Sequence, residues 1–212
     1  MNARSVAAIS IAPWAEIVDG MGPVSVDDLL SWPDDGWRYE VVEGVLVRVA
    51  GSGARAATIA RHLAARLGDY VDAHDLGLVT GADGVFKFLN AETGLLPDVG
   101  YLAAERADRI ADLDKPIPFP PDLAVEIASP SQSADDLAAK TRQYLVGGTL
   151  LVWVFWPERG AVDVWRPPDL RPRSQDMRAG MTLLVEAGDA LEGEDVVPGF
   201  SCPLAPLFTM RR

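Results

Sequence analysis

Four residues have the types and spacing for hydrolytic chemistry: Asp98, Glu126, Lys140 and Glu40. Glu126 stands in the stretch Asp122-Leu-Ala-Val-Glu-Ile-Ala-Ser-Pro-Ser131. There Leu123, Val125 and Ile127 alternate with Ala124, Glu126 and Ala128. One strand face is therefore bulky, and the other carries a single acid between alanines. A carboxylate in a buried strand needs a partner, and small neighbours leave room for a metal ion or substrate to approach. Asp98 follows Pro97, which cannot donate a ladder hydrogen bond and belongs at a strand start or edge. The separation of Asp98 and Glu126, 126 − 98 = 28 residues, suits two neighbouring strands of one sheet with a helix or loop between them. Two such carboxylates can share a divalent cation, which polarises phosphate oxygens and lowers the pKa of a bound water. Lys140 lies 140 − 126 = 14 residues past Glu126, about two turns into the next helix. From there its ammonium can reach back over the strand end, to position water or neutralise charge at a phosphorus centre. Glu40 can add a third metal ligand. The chemistry is metal-dependent hydrolysis of a phosphodiester.

The elements that must position these groups are legible in order. Residues 1–22 contain Pro13, Gly20 and Gly22 and show no period; the expectation is an N-terminal arm, with disorder the default for such a terminus. Ser25 before Val-Asp-Asp-Leu-Leu predicts a capped helix start. Trp37–Val49 predicts a β-hairpin turning at Glu43-Gly44, with Glu40 facing opposite to Tyr39 and Val41. Apolar residues at 59, 63, 67, 70 and 71 predict a helix over about 54–73. Arg55, Arg61 and Arg66 lie on it, and a solvated face is their ordinary reading. Strands are expected at 78–80, 85–89 and 95–102, and a charged short helix at 103–113. Residues 116–121 form a proline-rich extended connection. After the Glu126 strand, Ser131 or Ser133 caps a helix ending at Gly147-Gly148, with Leu137, Tyr144 and Leu145 as its apolar stripe and Lys140 at a polar position. Leu150–Trp156 predicts a central strand buried on both faces, with 161–166 as its hairpin partner. A loop at 167–180, a strand at 181–185 and a segment docked by Phe200, Leu204 and Phe208 complete the chain.

The totals narrow the function classes. A chain of 212 residues with 49% hydrophobic residues can bury a sizeable core as one domain over residues 23–212. No apolar run is long enough to span a bilayer, and the N-terminus shows no signal peptide. The single cysteine, Cys202, excludes an internal disulfide and fits a reducing, cytoplasmic setting. With only two histidines, His62 and His74, a site built from several His or Cys ligands is nearly excluded. Oxygen ligands remain, which favour Mg²⁺ or Mn²⁺. The net charge of −12 argues against broad, non-specific nucleic-acid binding.

Taken together, several pieces of the chain resemble the Uma-two family of restriction-endonuclease-like proteins (DUF820-like), within the PD-(D/E)XK nuclease superfamily. They are Arg38-Tyr-Glu-Val-Val-Glu-Gly44, Pro97-Asp-Val99, Pro121–Pro130, Lys140 with Tyr144 and Gly148, Leu151-Val-Trp-Val, and Val197-Pro-Gly-Phe200 with Leu204 and Phe208. The resemblance spans about residues 24–208. It implies an α/β (α+β) fold with a restriction-endonuclease-like core: a mixed central β-sheet flanked by helices, with an N-terminal β-hairpin. It also implies DNA as partner, Mg²⁺ (or Mn²⁺) as cofactor, no membrane, and a homodimer as one assembly to expect. Asp98 takes the place of the superfamily's P-D acid, Glu126 that of the acid in E-x-K, and Glu40 that of an early acid. Ala128 stands where the superfamily's strand lysine would be, and Lys140 matches a lysine supplied from the following helix. The chain departs from the family at Glu43-Gly44, where Asp-Gly is common, and at Gly53-Ala-Arg55, where a histidine is frequent.

The reading is thus a Mg²⁺/Mn²⁺-dependent endonuclease in which Asp98, Glu126 and Glu40 bind metal and Lys140 assists catalysis. The rival is a catalytically silent module of the same fold that binds or assembles, which the acidic charge favours.

Overall fold

The computed structural model describes residues 12–18, 20, 22–88, 92–167, 181–186 and 188–209. The strands are β1 (Glu16–Ile17), β2 (Arg38–Val42), β3 (Val45–Val49), β4 (Gly77–Thr80), β5 (Phe86–Phe88), β6 (Thr93–Leu95), β7 (Val99–Ala103), β8 (Leu123–Ile127), β9 (Leu151–Trp156), β10 (Ala161–Trp165), β11 (Met181–Glu186), β12 (Ala190–Glu192) and β13 (Ser201–Pro203). The α-helices are α1 (Ala54–Ala73), α2 (Ala104–Ala107), α3 (Ala134–Val146) and α4 (Ala205–Phe208), and a 3-10 helix covers Val26–Ser31.

The central sheet runs β11-β10-β9-β8-β7-β4. It is mixed, because β8 and β9 are parallel while the neighbouring pairs are antiparallel. The parallel pair follows from α3, which carries the chain from the end of β8 back to the start of β9. Alternation along β7, β8 and β9 divides the side chains between two cores. Val99, Tyr101, Leu123, Val125, Ile127, Trp153 and Phe155 face α1, whose Ile59, Leu63, Leu67 and Val71 are fully buried. Leu102, Ala124, Val152 and Val154 face the other way, against α3 and a second sheet ordered β1-β3-β2-β6-β5. The strand read as buried on both faces is therefore central, and the mixed sheet flanked by helices is as expected.

Several local expectations change. The helix expected at 103–113 is only the four residues of α2; Asp122, buried at the head of β8, fixes it by accepting the Ala103 amide (2.8 Å) and pairing with Arg106. The helix start at Ser25 does form, with Ser25 and Asp28 making a reciprocal capping box, but it winds as 3-10 turns. Ser133 rather than Ser131 caps α3, again in a capping box, with Asp136. The loop expected at 167–180 lies outside the described residues from 168 onward. Of the expected N-terminal arm, residues 12–17 pack on the fold. Ala12 and Trp14 are buried, and Glu16 and Ile17 pair with Arg48 and Val47 of β3.

The end of α3 is tightly fixed. Gly148 has φ +107°, which favours glycine, and a Cβ on Gly147 would stand 1.9 Å from the Phe88 ring. That ring packs against Tyr144 at 5.9 Å between centroids. Gly147→Ala should therefore cost about 1–3 kcal/mol by overpacking, measured by urea denaturation. Wild-type stability would show that Phe88 can move aside freely.

Candidate active site

Glu126, Lys140 and Glu40 meet in the interior. Glu126 lies on the alanine face of β8 and is 5% exposed; Glu40, on β2, is 0% exposed; Lys140, on α3, is 4% exposed. The Lys140 ammonium stands 2.9 Å from Glu126 Oε1 and 2.9 Å from Glu40 Oε1. Tyr144 follows Lys140 by one helical turn and shares its face; its hydroxyl donates to Glu126 Oε1 at 2.7 Å. Glu40 has no oxygen without a protein partner. Oε1 also accepts the Leu96 amide (3.0 Å), and Oε2 accepts the Trp14 indole N–H (3.1 Å).

Asp98 stands just before β7, next to β8 in the sheet. Its Oδ2 accepts the Ile127 amide at 2.8 Å, so the side chain holds the strand end at the point where Pro97 brings no N–H. Asp98, Glu126 and Lys140 line one small cavity of about 30 Å³, together with Trp14, Arg38, Ile127, Ser129 and Gln132. That is room for a water-sized ligand or two. Arg38 bonds to the Ala82 carbonyl. Its Nε is buried without a hydrogen-bond partner, the nearest carboxylate, Asp83, lying 3.9 Å away.

The electrostatics follow from crowding. Burial pushes the Glu126 carboxyl from its usual 4.5 up to about 7; Lys140 pulls it down, while Asp98 and Glu40 add to the rise. Burial also raises Asp98, against the Ile127 amide, Lys140 and Arg38. Burial alone would lower Lys140, but Glu126 and Glu40 together hold it above the usual lysine range. Tyr144 is raised well above its ordinary value, by burial first and then by Glu126. Two carboxyl groups thus pair with one ammonium, and a third, Asp98, lines the same cavity. A proton, or another cation, stabilises such a set.

The four residues singled out by sequence are brought to one place. Asp98 and Glu126 each have one oxygen bonded to protein and one without a partner among the described residues. Glu40 stands behind Lys140, with both oxygens engaged. No group of three or more His, Cys, Asp or Glu side chains among the described residues is arranged to hold a metal ion. The donor set still suits Mg²⁺ or Mn²⁺, since Mg²⁺ is commonly held by one or two carboxylates and completes its shell with water and phosphate oxygens. Sequence reasoning missed Trp14, taken as part of an arm, and Arg38. Tyr144 was assigned to the apolar stripe of α3; its i, i+4 spacing from Lys140 was the available signal.

No described helix is long and apolar enough to cross a membrane. No curated protein matches the chain. A solved protein of Anabaena variabilis ATCC 29413, described as a "putative nuclease belonging to DUF820", shares the fold with a TM-score of 0.68. The identity is 19%, over 88% of this chain and 98% of that one. The model of the Uma2 family, described as "Putative restriction endonuclease", matches residues 26–205. That match takes in β2, β7, β8 and α3, and with them every residue of the carboxylate–lysine cluster. The chain belongs to the Uma2 family.

Proposed function

We propose that the protein is a nuclease of restriction-endonuclease type that hydrolyses DNA phosphodiester bonds with Mg²⁺ or Mn²⁺. The observation that carries this is Lys140, held at 2.9 Å from each of two buried carboxylates beside a cavity that Asp98 also lines. Asp98 and Glu126 would hold the ion, which when bound supplies Lewis acidity toward phosphate oxygens and a more acidic water. The chain's own groups do the rest. Lys140 has three N–H donors; Glu40 and Glu126 take two, and the third is left for a phosphate oxygen or the attacking water. Its charge stabilises negative charge developing at phosphorus. Tyr144 fixes Glu126 through Oε1 and so leaves Oε2 for a cation. Glu40 acts through Lys140 as a positioning residue, itself fixed by Trp14 and the Leu96 amide. Arg38, which lines the cavity, would add a positive charge for a phosphate there.

The test is Mn²⁺-dependent cleavage of plasmid and single-stranded DNA by wild type and Glu126→Gln. Cleavage by the wild type, lost in the variant, is expected; equal cleavage by both would overturn the assignment. One observation favours a second reading, a non-catalytic binding or assembly module: the net charge of −12, which repels a polyanion. Calorimetric titration with Mn²⁺ separates the two, since a folded protein that binds no ion would be the module.

A further inference from the structure

A second cavity adjoins the candidate active site. Its volume is about 460 Å³, within the roughly 300–1,000 Å³ typical of small-ligand sites. It shares the wall residues Ser129 and Gln132 with the smaller cavity, so the two lie side by side at the end of β8. Its far wall is the start of α1 and the turn after β9. The cationic groups presented there are two guanidiniums, Arg55 and Arg159, with Trp156, 9% exposed, behind the second. The Arg159 guanidinium lies over the Trp156 ring, 4.6 Å from the centroid. The only acid in the lining is Glu158, which pairs with Arg55 at 3.1 Å in solvent. The groove is thus net cationic in a chain of net charge −12. Gly53 heads α1 without a side-chain cap, and the first turn holds no acid, so the helix end adds uncapped N–H groups beside Arg55.

We propose that this groove binds one unpaired nucleotide of the strand being cut, next to the scissile phosphate. The proposal rests on the nuclease reading and adds the substrate form to it. Arg55 and the start of α1 take the flanking phosphate, and the base stacks on the outer, guanidinium face of the Arg159–Trp156 pair. Cationic contact to the backbone combined with stacking on an aromatic or guanidinium plane is how single strands are held without sequence preference. A base paired in a duplex has its faces covered by its neighbours and cannot reach that pair without leaving the stack. The substrate segment is therefore single-stranded or locally opened at this position.

The test measures binding apart from cleavage. A short fluorescein-labelled single strand is titrated with full-length protein in EDTA at low salt, and anisotropy is read. Arg55→Ala and Arg159→Ala should each weaken binding about five- to tenfold. Arg61→Ala removes the same charge from α1 outside the groove and should bind as wild type. Thermal melting checks that each variant is folded. Binding unchanged in both groove variants overturns the proposal, as does an equal loss in Arg61→Ala. A matched duplex bound as tightly as the single strand, with the same dependence on Arg55 and Arg159, overturns the unpaired form. Mn²⁺-dependent cleavage by the same proteins separates the two levels. Wild-type cleavage with no binding change in the groove variants removes the groove alone. Arginine-dependent binding with no cleavage by the wild type removes the nuclease reading, and with it the scissile strand as the ligand.

Discussion

Lys140→Met should unfold far more easily than the wild type at pH 8 and should cleave DNA about a hundred- to a thousandfold more slowly. Methionine fills similar volume but leaves Glu40 and Glu126, both buried, without their shared counter-ion. Removing one partner of a buried ion pair costs about 3–5 kcal/mol, because the remaining charge is buried and uncompensated. The loss should shrink on acidification, since Glu126 then takes up a proton and ceases to need the ammonium. The sign for Lys140 itself is simple. Its pKa is raised in the fold, so its contribution is fully present below the unfolded lysine value and is lost only as pH rises through the folded one. Across pH 5–8 it is constant, and the change over that range belongs to the carboxylates. Lys140→Arg should not rescue activity, because a planar fork cannot reproduce a compact ammonium between two carboxylates. Urea denaturation at pH 5 and pH 8 is the measurement. Wild-type stability of Lys140→Met at pH 8 would show that the carboxylates are not held ionised by Lys140.

Glu126→Gln should lose cleavage yet gain stability relative to the wild type as pH rises. In the wild type, burial raises Glu126 from 4.5 to about 7. A carboxyl raised by folding favours the folded state while it is protonated. Its contribution is fully present below about pH 4.5 and is lost as pH rises through about 7, a change of about 3 kcal/mol. Glutamine has no such titration, yet its side-chain oxygen can still accept from Tyr144 and Lys140. The difference in unfolding free energy between variant and wild type should therefore rise in the variant's favour between pH 4.5 and 8. Parallel urea titrations across that range read it directly. A difference that stays flat would mean that Glu126 titrates alike in both states. Gain of stability with loss of activity is expected where a site holds charge for chemistry rather than for folding.

How far the sequence reached depends on how local each signal was. Strand alternation around Glu126 and the continuous apolar run at β9 were legible because their periods are set by backbone geometry alone. The capping pattern and Gly147-Gly148 bounded α3 to within a residue or two for the same reason. The helix expected after β7 shrank to four residues because the fixed point there is the carboxylate of Asp122, fifteen positions beyond the end of α2. Lys140 read as a polar helix position, the ordinary fate of lysine. In the fold it is 4% exposed, because β2 brings Glu40 to the same spot as Glu126. Trp14 gave no signal at all: the segment around it has no period, and its partner, Glu40, is 26 residues away.

The sequence by itself determined which residue types the protein has for chemistry. It makes oxygens the main metal ligands on offer, places an acid at the start of one strand and another inside its neighbour, and sets a lysine two turns into the next helix. Only the tertiary structure decided how those groups share their bonds. The pairing of β7 with β8 brings Asp98 to the Ile127 amide, and the packing of the second sheet on α3 drives Glu40 against Lys140. In that packing both Glu40 oxygens are engaged, Oε1 by Lys140 and the Leu96 amide and Oε2 by the Trp14 indole. Hydrogen-bond capacity is spent between elements far apart in the chain, and no local pattern records where it goes.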